Sequence, residues 1–441
     1  MSVERRGSVR TSLACAQLIT DQEEAVTKTK PFTIDKWQVV RAYELVKANA
    51  GAAGIDQQSI ADFDKNRKNN LYKLWNRLSS GSYCPAPVKA VAIPKKSGGE
   101  RILGIPSVSD RIAQMVVKMA FEPKVEPHFL PDSYGYRPGK SALDAIGITR
   151  KRCWSYNWVL EFDIKGLFDN IPHELLLKAV DKHQPTAWIR LYIQRWLTAP
   201  MVMPDGEVRA RTQGTPQGGV IRPLLANLFM HYVFEKWLQQ HYPNIPWCRY
   251  ADDGLVHCRS ESEAKHMLEV LRERFIACGL ELHPEKTKIV YCKDGSRKGN
   301  YEHTSFDFLG YTFRRRVVKN RKRNSLFVSF TPAVSKVALK AMRRKIKVLK
   351  VRSRTELNIA QLGGWLNPII NGWIGYYGRY NRSALYSLFR HINKALIRWA
   401  RRKYKTLRRH KTRTLKFLEG IATKSPRLFA HWRAGMVGRF S

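Results

Sequence analysis

The sequence predicts an α+β fold in which a sheet-bearing body is followed by a helical C-terminal unit. Three observations point to it: an apolar hairpin with two acids at its tip, a buried strand ending on a third acid, and helical spacing of apolar residues beyond residue 333. In the hairpin, Tyr250-Ala251-Asp252-Asp253 stands between apolar stretches at 247–250 and 255–258, with Gly254 closing the turn. Asp-Gly between such flanks is a strong short-range hairpin signal, so the two carboxylates are expected to be close and rigidly held. Adjacent carboxylates repel each other, and a divalent cation relieves the repulsion; hard oxygen ligands suit Mg²⁺. Taken alone, the tetrapeptide also fits an acidic surface turn.

The stretch Trp158-Val159-Leu160-Glu161-Phe162-Asp163-Ile164 reads as a buried strand with Asp163 at its end. Two metal ions about 4 Å apart require carboxylates converging from separate strands, which the hairpin and this strand supply. Asp169 is an alternative ligand, although its position between the strand and Pro172 suits capping or orienting the turn. Upstream, 88–94 alternates like a strand, 96–100 reads as a turn and 101–103 as a second strand. Lys89, Lys95 and Arg101 recur in this hairpin at six-residue intervals. Even spacing keeps Lys89 and Lys95 on one face, and the hairpin can return Arg101 beside them. Such an array suits a triphosphate, and it equally suits a solvated basic strand edge. The loop Gln213-Gly214-Thr215-Pro216-Gln217-Gly218-Gly219 is too rich in glycine for a helix and opens one over 223–237, where N-terminal amides favour anions.

At 441 residues the chain exceeds one ordinary core, so two or three subdomains are expected. A net charge of +42 goes far beyond what solubility needs and favours a polyanionic partner. From residue 314 onward 34 Lys and Arg face only Glu356 and Glu419, which concentrates +32 in the C-terminal part and leaves +10 for residues 1–313. The seven cysteines are odd in number, scattered and without a CxxC pair, which fits a reducing cytoplasm and argues against structural zinc. No run of 18 apolar residues occurs, so no membrane span is expected. Residues 1–35 read as a flexible polar segment, and Gln17 interrupts its short apolar run, arguing against a signal peptide. Helices are expected over 34–49, 333–351 and 383–405.

The acidic hairpin and strand, in order with several further blocks, resemble reverse transcriptases and more closely the group II intron family. These blocks include Ile93-Pro94-Lys95-Lys96, Asp132-Ser133-Tyr134-Gly135-Tyr136-Arg137-Pro138-Gly139, the 213–219 loop, Pro284-Glu285-Lys286-Thr287 and Phe306-Asp307-Phe308-Leu309-Gly310-Tyr311. The resemblance covers roughly residues 36–404. It implies a right-hand polymerase: fingers and palm with an N-terminal extension at 36–313, a helical thumb or maturase domain at 314–405, and a basic DNA-binding tail at 406–441.

The resemblance further implies that Asp163, Asp252 and Asp253 hold two Mg²⁺ ions, with Mn²⁺ as a substitute and the Ile164 carbonyl completing a shell. Lys95 and Arg101, and less directly Lys89, would meet the triphosphate. Gln217 would contact nucleotide or template. Lys286 would reach the phosphates, or else is a surface lysine. Phe168 would lie beneath the incoming sugar, where its ring collides with a ribose 2′-hydroxyl; its plain alternative is a core phenylalanine. The family usually reads Val-Ile-Ser-Pro where this chain has Val220-Ile221-Arg222-Pro223, which adds a charge beside the pocket.

Gly363-Gly364-Trp365-Leu366-Asn367 and the Gly372 to Tyr380 stretch resemble the maturase-specific thumb, with Trp365 and Trp373 read as core. Arg343, Arg344, Lys345, Arg401, Arg402, Lys403, Arg408 and Arg409 are candidates for nucleic-acid backbone contact. The implied activity is RNA-directed DNA polymerisation that extends a primer 3′-hydroxyl with dNTPs. Its partners would be an RNA template, a DNA primer, group II intron RNA during splicing and retrohoming, and target DNA. The expected location is the cytoplasm, at the nucleoid when DNA is bound. The rivals are an RNA-binding maturase whose polymerase site is dispensable and a domesticated relative acting in DNA repair. Without paired Cys or His spacing no zinc endonuclease is expected, and an intron using this protein would need another primer, such as a nascent strand.

Overall fold

The computed structural model describes residues 30–94, 99–215, 218–320 and 324–436. Lys95, Gln217 and residues 1–29 of the expected polar N-terminal segment lie outside them. The first described helix, Lys36–Ala48, is capped by Asp35, whose carboxylate accepts from the Trp37 amide. Val39, Ala42, Tyr43 and Val46 fall on one face at helical spacing, and that face is buried against the long central helix Val108–Val125.

The described strands run in chain order as β1 (Val88–Pro94), β2 (Glu100–Ile105), β3 (Trp158–Asp163), β4 (Met201–Val202), β5 (Val208–Arg209) and β6 (Trp247–Tyr250). After them come β7 (Asp253–Cys258), β8 (Lys288–Tyr291), β9 (Ser305–Phe308), β10 (Tyr311–Asn320) and β11 (Ser325–Val334). They form three sheets, ordered β2-β1-β4-β5, β6-β7-β3-β8 and β11-β10-β9.

The second of these sheets carries the acids. Its inner strand β3 is apolar almost throughout because both faces are covered. Leu160 and Phe162 join one core with Ala264, Met267, Leu271 and Phe275 of helix Glu261–Ala277, while Val159 joins another with Ala145 and Ile146 of helix Ala142–Ser155. Asp163 ends the strand, half-buried, with Ile164 after it still in the core.

The helix expected over 333–351 begins only at Lys336. Ala333 and Val334 instead pair with Thr312 and Tyr311 as the end of β11, and Ser335 caps the helix by accepting from the Ala338 amide. The helix expected over 383–405 is Tyr386–Lys403. Together with Ile359–Tyr377 and Lys411–Lys424 these helices enclose a core containing Leu362, Leu366, Phe389, Leu396 and Trp399.

Leu418, Ala422, Phe429 and Trp432 belong to that same core, so packing does not divide at residue 405. Charge suggests a separate tail because the basic residues occupy the outer face of an amphipathic helix. Trp365 and Trp373 pack half-buried against the core. Tyrosines join this unit to the sheets and to the helix Ala142–Ser155: Tyr376 donates to the Leu309 carbonyl at 2.9 Å, Tyr380 to that of Leu143 at 3.0 Å, and Tyr311 to that of Tyr376. No described helix is long and apolar enough to cross a membrane.

Candidate active site

The antiparallel register of β3 and β7 sets Asp163 directly opposite Asp253. Cross-strand partners have Cα atoms about 5 Å apart, so these two acids from distant parts of the chain are neighbours. Tyr250 also pairs with Asp253, which makes Ala251–Asp252 the two-residue turn. This corrects the sequence reading: Asp253 and Gly254 lie within β7, and the left-handed backbone falls on Ala251, at φ 58°. Gly254 serves packing instead. A Cβ there would lie 2.0 Å from Cζ of Phe162, whose ring covers the strand.

Arg249 holds the turn. Its side chain, 1% exposed, donates from Nη1 to the Ala251 carbonyl at 2.8 Å and to Asn227 Oδ1 at 3.1 Å, and from Nη2 to Ser133 Oγ at 2.9 Å. Its Nε donates to Glu235 Oε1 at 2.9 Å. Glu235 is fully buried; burial would raise its pKa, but the Arg249 charge and the His231 hydrogen bond hold it below the usual value. Glu235 and His231 sit on the π-helical turn His231–Glu235, a local widening often found near functional sites. Behind the turn, a Cβ on Gly135 would meet the Ala251 amide nitrogen at 2.5 Å, so the Ser133-Tyr134-Gly135 block buttresses the hairpin backbone to backbone.

The two turn acids are raised by burial and by neighbouring charge. Burial, then the charges of Asp252 and Asp163, push the Asp253 carboxyl up to about 7, and burial raises Asp252 as well. Lys286 donates from Nζ to Asp163 Oδ2 at 2.9 Å, and this hydrogen bond raises its own pKa. One ammonium thus faces the Asp163 carboxylate, with Asp253 and Asp252 within electrostatic reach, a charge balance that fits further cations. Among the described residues no three acidic, His or Cys side chains are already gathered as a ligand set. Ile164, the other expected shell member, has its backbone in a bridge to Leu282.

The hairpin divides two cavities. A cleft of about 1170 Å³ is lined by Asp252, Phe168, Tyr136, Gly214, Thr215 and Arg222. A smaller one, about 530 Å³, lies on the other side against Asp163, Asp253, Lys286, Glu161, Lys288 and Asp307. Phe168 sits in the short helix Leu167–Asn170, and its carbonyl accepts from the Thr215 amide at 2.7 Å, which ties the glycine-rich loop to the strand end. Arg101 pairs through its backbone with Ile93. Lys89 pairs with Ile105 at the opposite end of β1, about 13 Å along the strand from Ile93, and does not line the cleft.

A reverse transcriptase (RNA-dependent DNA polymerase) family matches residues 93–313, and a group II intron maturase-specific domain matches residues 339–417. The chain belongs to the group II intron reverse transcriptase/maturase family. It is 33% identical over 325 residues to protein YkfC of Escherichia coli, covering 63% of this chain and 79% of that protein. It is also 33% identical over 193 residues to the group II intron-encoded protein LtrA of Lactococcus lactis, covering 43% of this chain. The match spans about a third of LtrA, 32% of its length. A telomerase from Candida tropicalis superposes with a TM-score of 0.41 at 14% identity over 52% of this chain and 53% of that one.

In this reverse transcriptase/maturase the C-terminal basic residues separate into two groups. Arg344, Lys345, Arg402, Arg408 and Arg409 are exposed. Lys403 donates to the Thr355 and Leu357 carbonyls at 2.8 Å, Arg343 to Ser387 Oγ at 2.9 Å, and Arg401 to the Arg408 carbonyl at 3.1 Å. Motif reading misses Arg249 and Glu235, and gives Tyr136 within a motif block without placing it at the cleft. The signal for Arg249 was in view as a lone charge inside the apolar flank Trp247-Cys248-Arg249-Tyr250, where a buried cation requires a buried partner.

Proposed function

We propose that the protein is an RNA-directed DNA polymerase that extends a primer 3′-hydroxyl with dNTPs and binds group II intron RNA to assist splicing and retrohoming. The observation carrying this reading is the register pair Asp163–Asp253, with Asp252 in the adjoining turn and a cavity on either side. Asp163, Asp252 and Asp253, with the Ile164 carbonyl, would hold two Mg²⁺ ions, for which Mn²⁺ can substitute. When bound, such ions acidify the attacking hydroxyl and offset charge on the departing pyrophosphate.

The chain's own residues position the reactants. The larger cleft takes the nucleotide: Phe168 stands against the sugar, Lys95 and Arg101 meet the triphosphate with Lys89 more remote, and Gln217 contacts nucleotide or template. The smaller cavity takes the primer end, with Lys286 holding Asp163 in place until the cations enter. The exposed Arg344, Lys345, Arg402, Arg408 and Arg409 follow the template or intron RNA backbone. The functional division is a fingers and palm unit at 36–313, a thumb at 314–405 and a DNA-contacting segment from 406. Target DNA is the remaining partner, in the cytoplasm and at the nucleoid.

Retention of all three carboxylates favours this over a maturase with a lapsed polymerase site. Primer extension on poly(rA)/oligo(dT) tests it: Mg²⁺-dependent product is expected, and well-folded protein that yields none would refute the polymerase.

A further inference from the structure

Resting on the polymerase reading above, we propose that Arg222 is a specificity-determining residue that clamps the Phe168 ring, fixing it as the barrier to ribonucleotides. The guanidinium carbon of Arg222 lies 3.7 Å from the centroid of the Phe168 ring, close to van der Waals contact. The two residues reach this contact from separate elements. Phe168 follows β3 in the helix Leu167–Asn170, and Arg222 opens the helix Arg222–Met230 on the far side of the glycine-rich loop. Both are half-buried and line the cleft that also contains Asp252.

A ring excludes a 2′-hydroxyl only if it cannot swing away. Phe168 is only partly buried against the core, so core packing alone does not fix the ring. Arg222 covers one face of it. A planar cation over an aromatic face is held by the ring quadrupole and by dispersion, and a guanidinium retains both its charge and its flat shape there. Asp252 of the acidic turn lines this cleft as well. Arg222 and Phe168 therefore share one cleft with the acidic turn. A serine at this position would be too short to cover the ring.

The clamp predicts a change in discrimination, which separates it from a phosphate-binding role. A cation that only met phosphate would affect dNTP and rNTP alike, because both carry the same triphosphate. The experiment measures kcat/KM for dTTP and UTP on a poly(rA)/oligo(dT) substrate with Mg²⁺, using the full chain and its Arg222→Ser, Arg222→Lys, Phe168→Ala and Arg222→Ser/Phe168→Ala variants.

Arg222→Ser is expected to lower the dTTP/UTP ratio about fivefold or more, the effect of losing one stacked cation. Arg222→Lys, which keeps the charge without the plane, should lower it as well. In the double variant, loss of Arg222 should cost no further discrimination once the ring is gone, since the two act as a unit. An unchanged ratio in Arg222→Ser accompanied by a raised KM for both nucleotides would overturn the clamp while leaving the polymerase reading intact. Absence of product from the unsubstituted protein would overturn that reading and the clamp with it.

Discussion

Arg249 donates from Nη1 to the carbonyl of Ala251, two residues further along, at 2.8 Å. This hydrogen bond turns the chain beneath Asp252, because Ala251 adopts a left-handed backbone that only glycine takes at no cost. Arg249→Met removes it and leaves Glu235 buried without its guanidinium. The denaturation midpoint should fall by the equivalent of about 3–5 kcal/mol, the usual effect of breaking a buried ion pair from one side. A loss below about 1 kcal/mol would mean the network is not what fixes the hairpin.

Gly254→Ala places a methyl group against the Phe162 ring. A destabilisation of about 1–3 kcal/mol is expected from overpacking, and adding Phe162→Leu should restore part of it. If the pair is additive in a double-mutant cycle, the close approach is not the cause.

Much of the site was legible because its signals are local. Two acids in a hairpin and one at a strand end are readable from apolar pattern and turn residues, and the strand register then brings Asp163 to Asp253. The turn itself was misassigned by one step because Asp-Gly is the stronger local signal, and it was overridden by Arg249, whose partners Asn227, Glu235 and Ser133 are distant in sequence. In the helical unit, the expected helix start at 333 failed for a similar reason: Ala333 and Val334 suit a helix locally but are claimed by pairing with β10. The extent of the C-terminal core was hidden because charge reports the outer face of a helix and Leu418 and Trp432 report the inner one.

Stability should depend on pH through histidines buried as neutral rings. Burial lowers His257 and His431 to about 3, and both ring nitrogens of His257 lack hydrogen-bond partners. An unfolded histidine titrates near about 6.5. Below that pH the unfolded chain binds protons the folded chain refuses, so stability falls as pH drops from about 6.5 toward the folded pKa. At pH 5 each such ring is worth a loss on the order of 2 kcal/mol. His257→Phe should flatten the fall in urea midpoint between pH 7 and 5, whereas an unaltered profile would show that His257 does not stay neutral.

Alanine at Arg344, Lys345, Arg402, Arg408 and Arg409 together should weaken RNA template binding and make its salt dependence shallower. The slope of log K against log salt should change by about 0.7 for each phosphate that is no longer neutralised on a single strand. Lys403→Ala should act differently. Its ammonium is bound to two carbonyls, so thermal stability should drop with little change in slope. Equal slopes for the five-site variant and the unsubstituted protein would place the RNA elsewhere.

The measurement that bears most directly on the acidic pair is single-turnover dNTP incorporation by Asp163→Asn, Asp252→Asn and Asp253→Asn, with template binding followed in the same samples. Each variant should lose about a thousandfold or more in rate, several kcal/mol of transition-state stabilisation, while RNA affinity stays within about twofold. Incorporation at the unsubstituted rate by Asp163→Asn or Asp253→Asn would contradict the claim that these facing carboxylates form one catalytic centre.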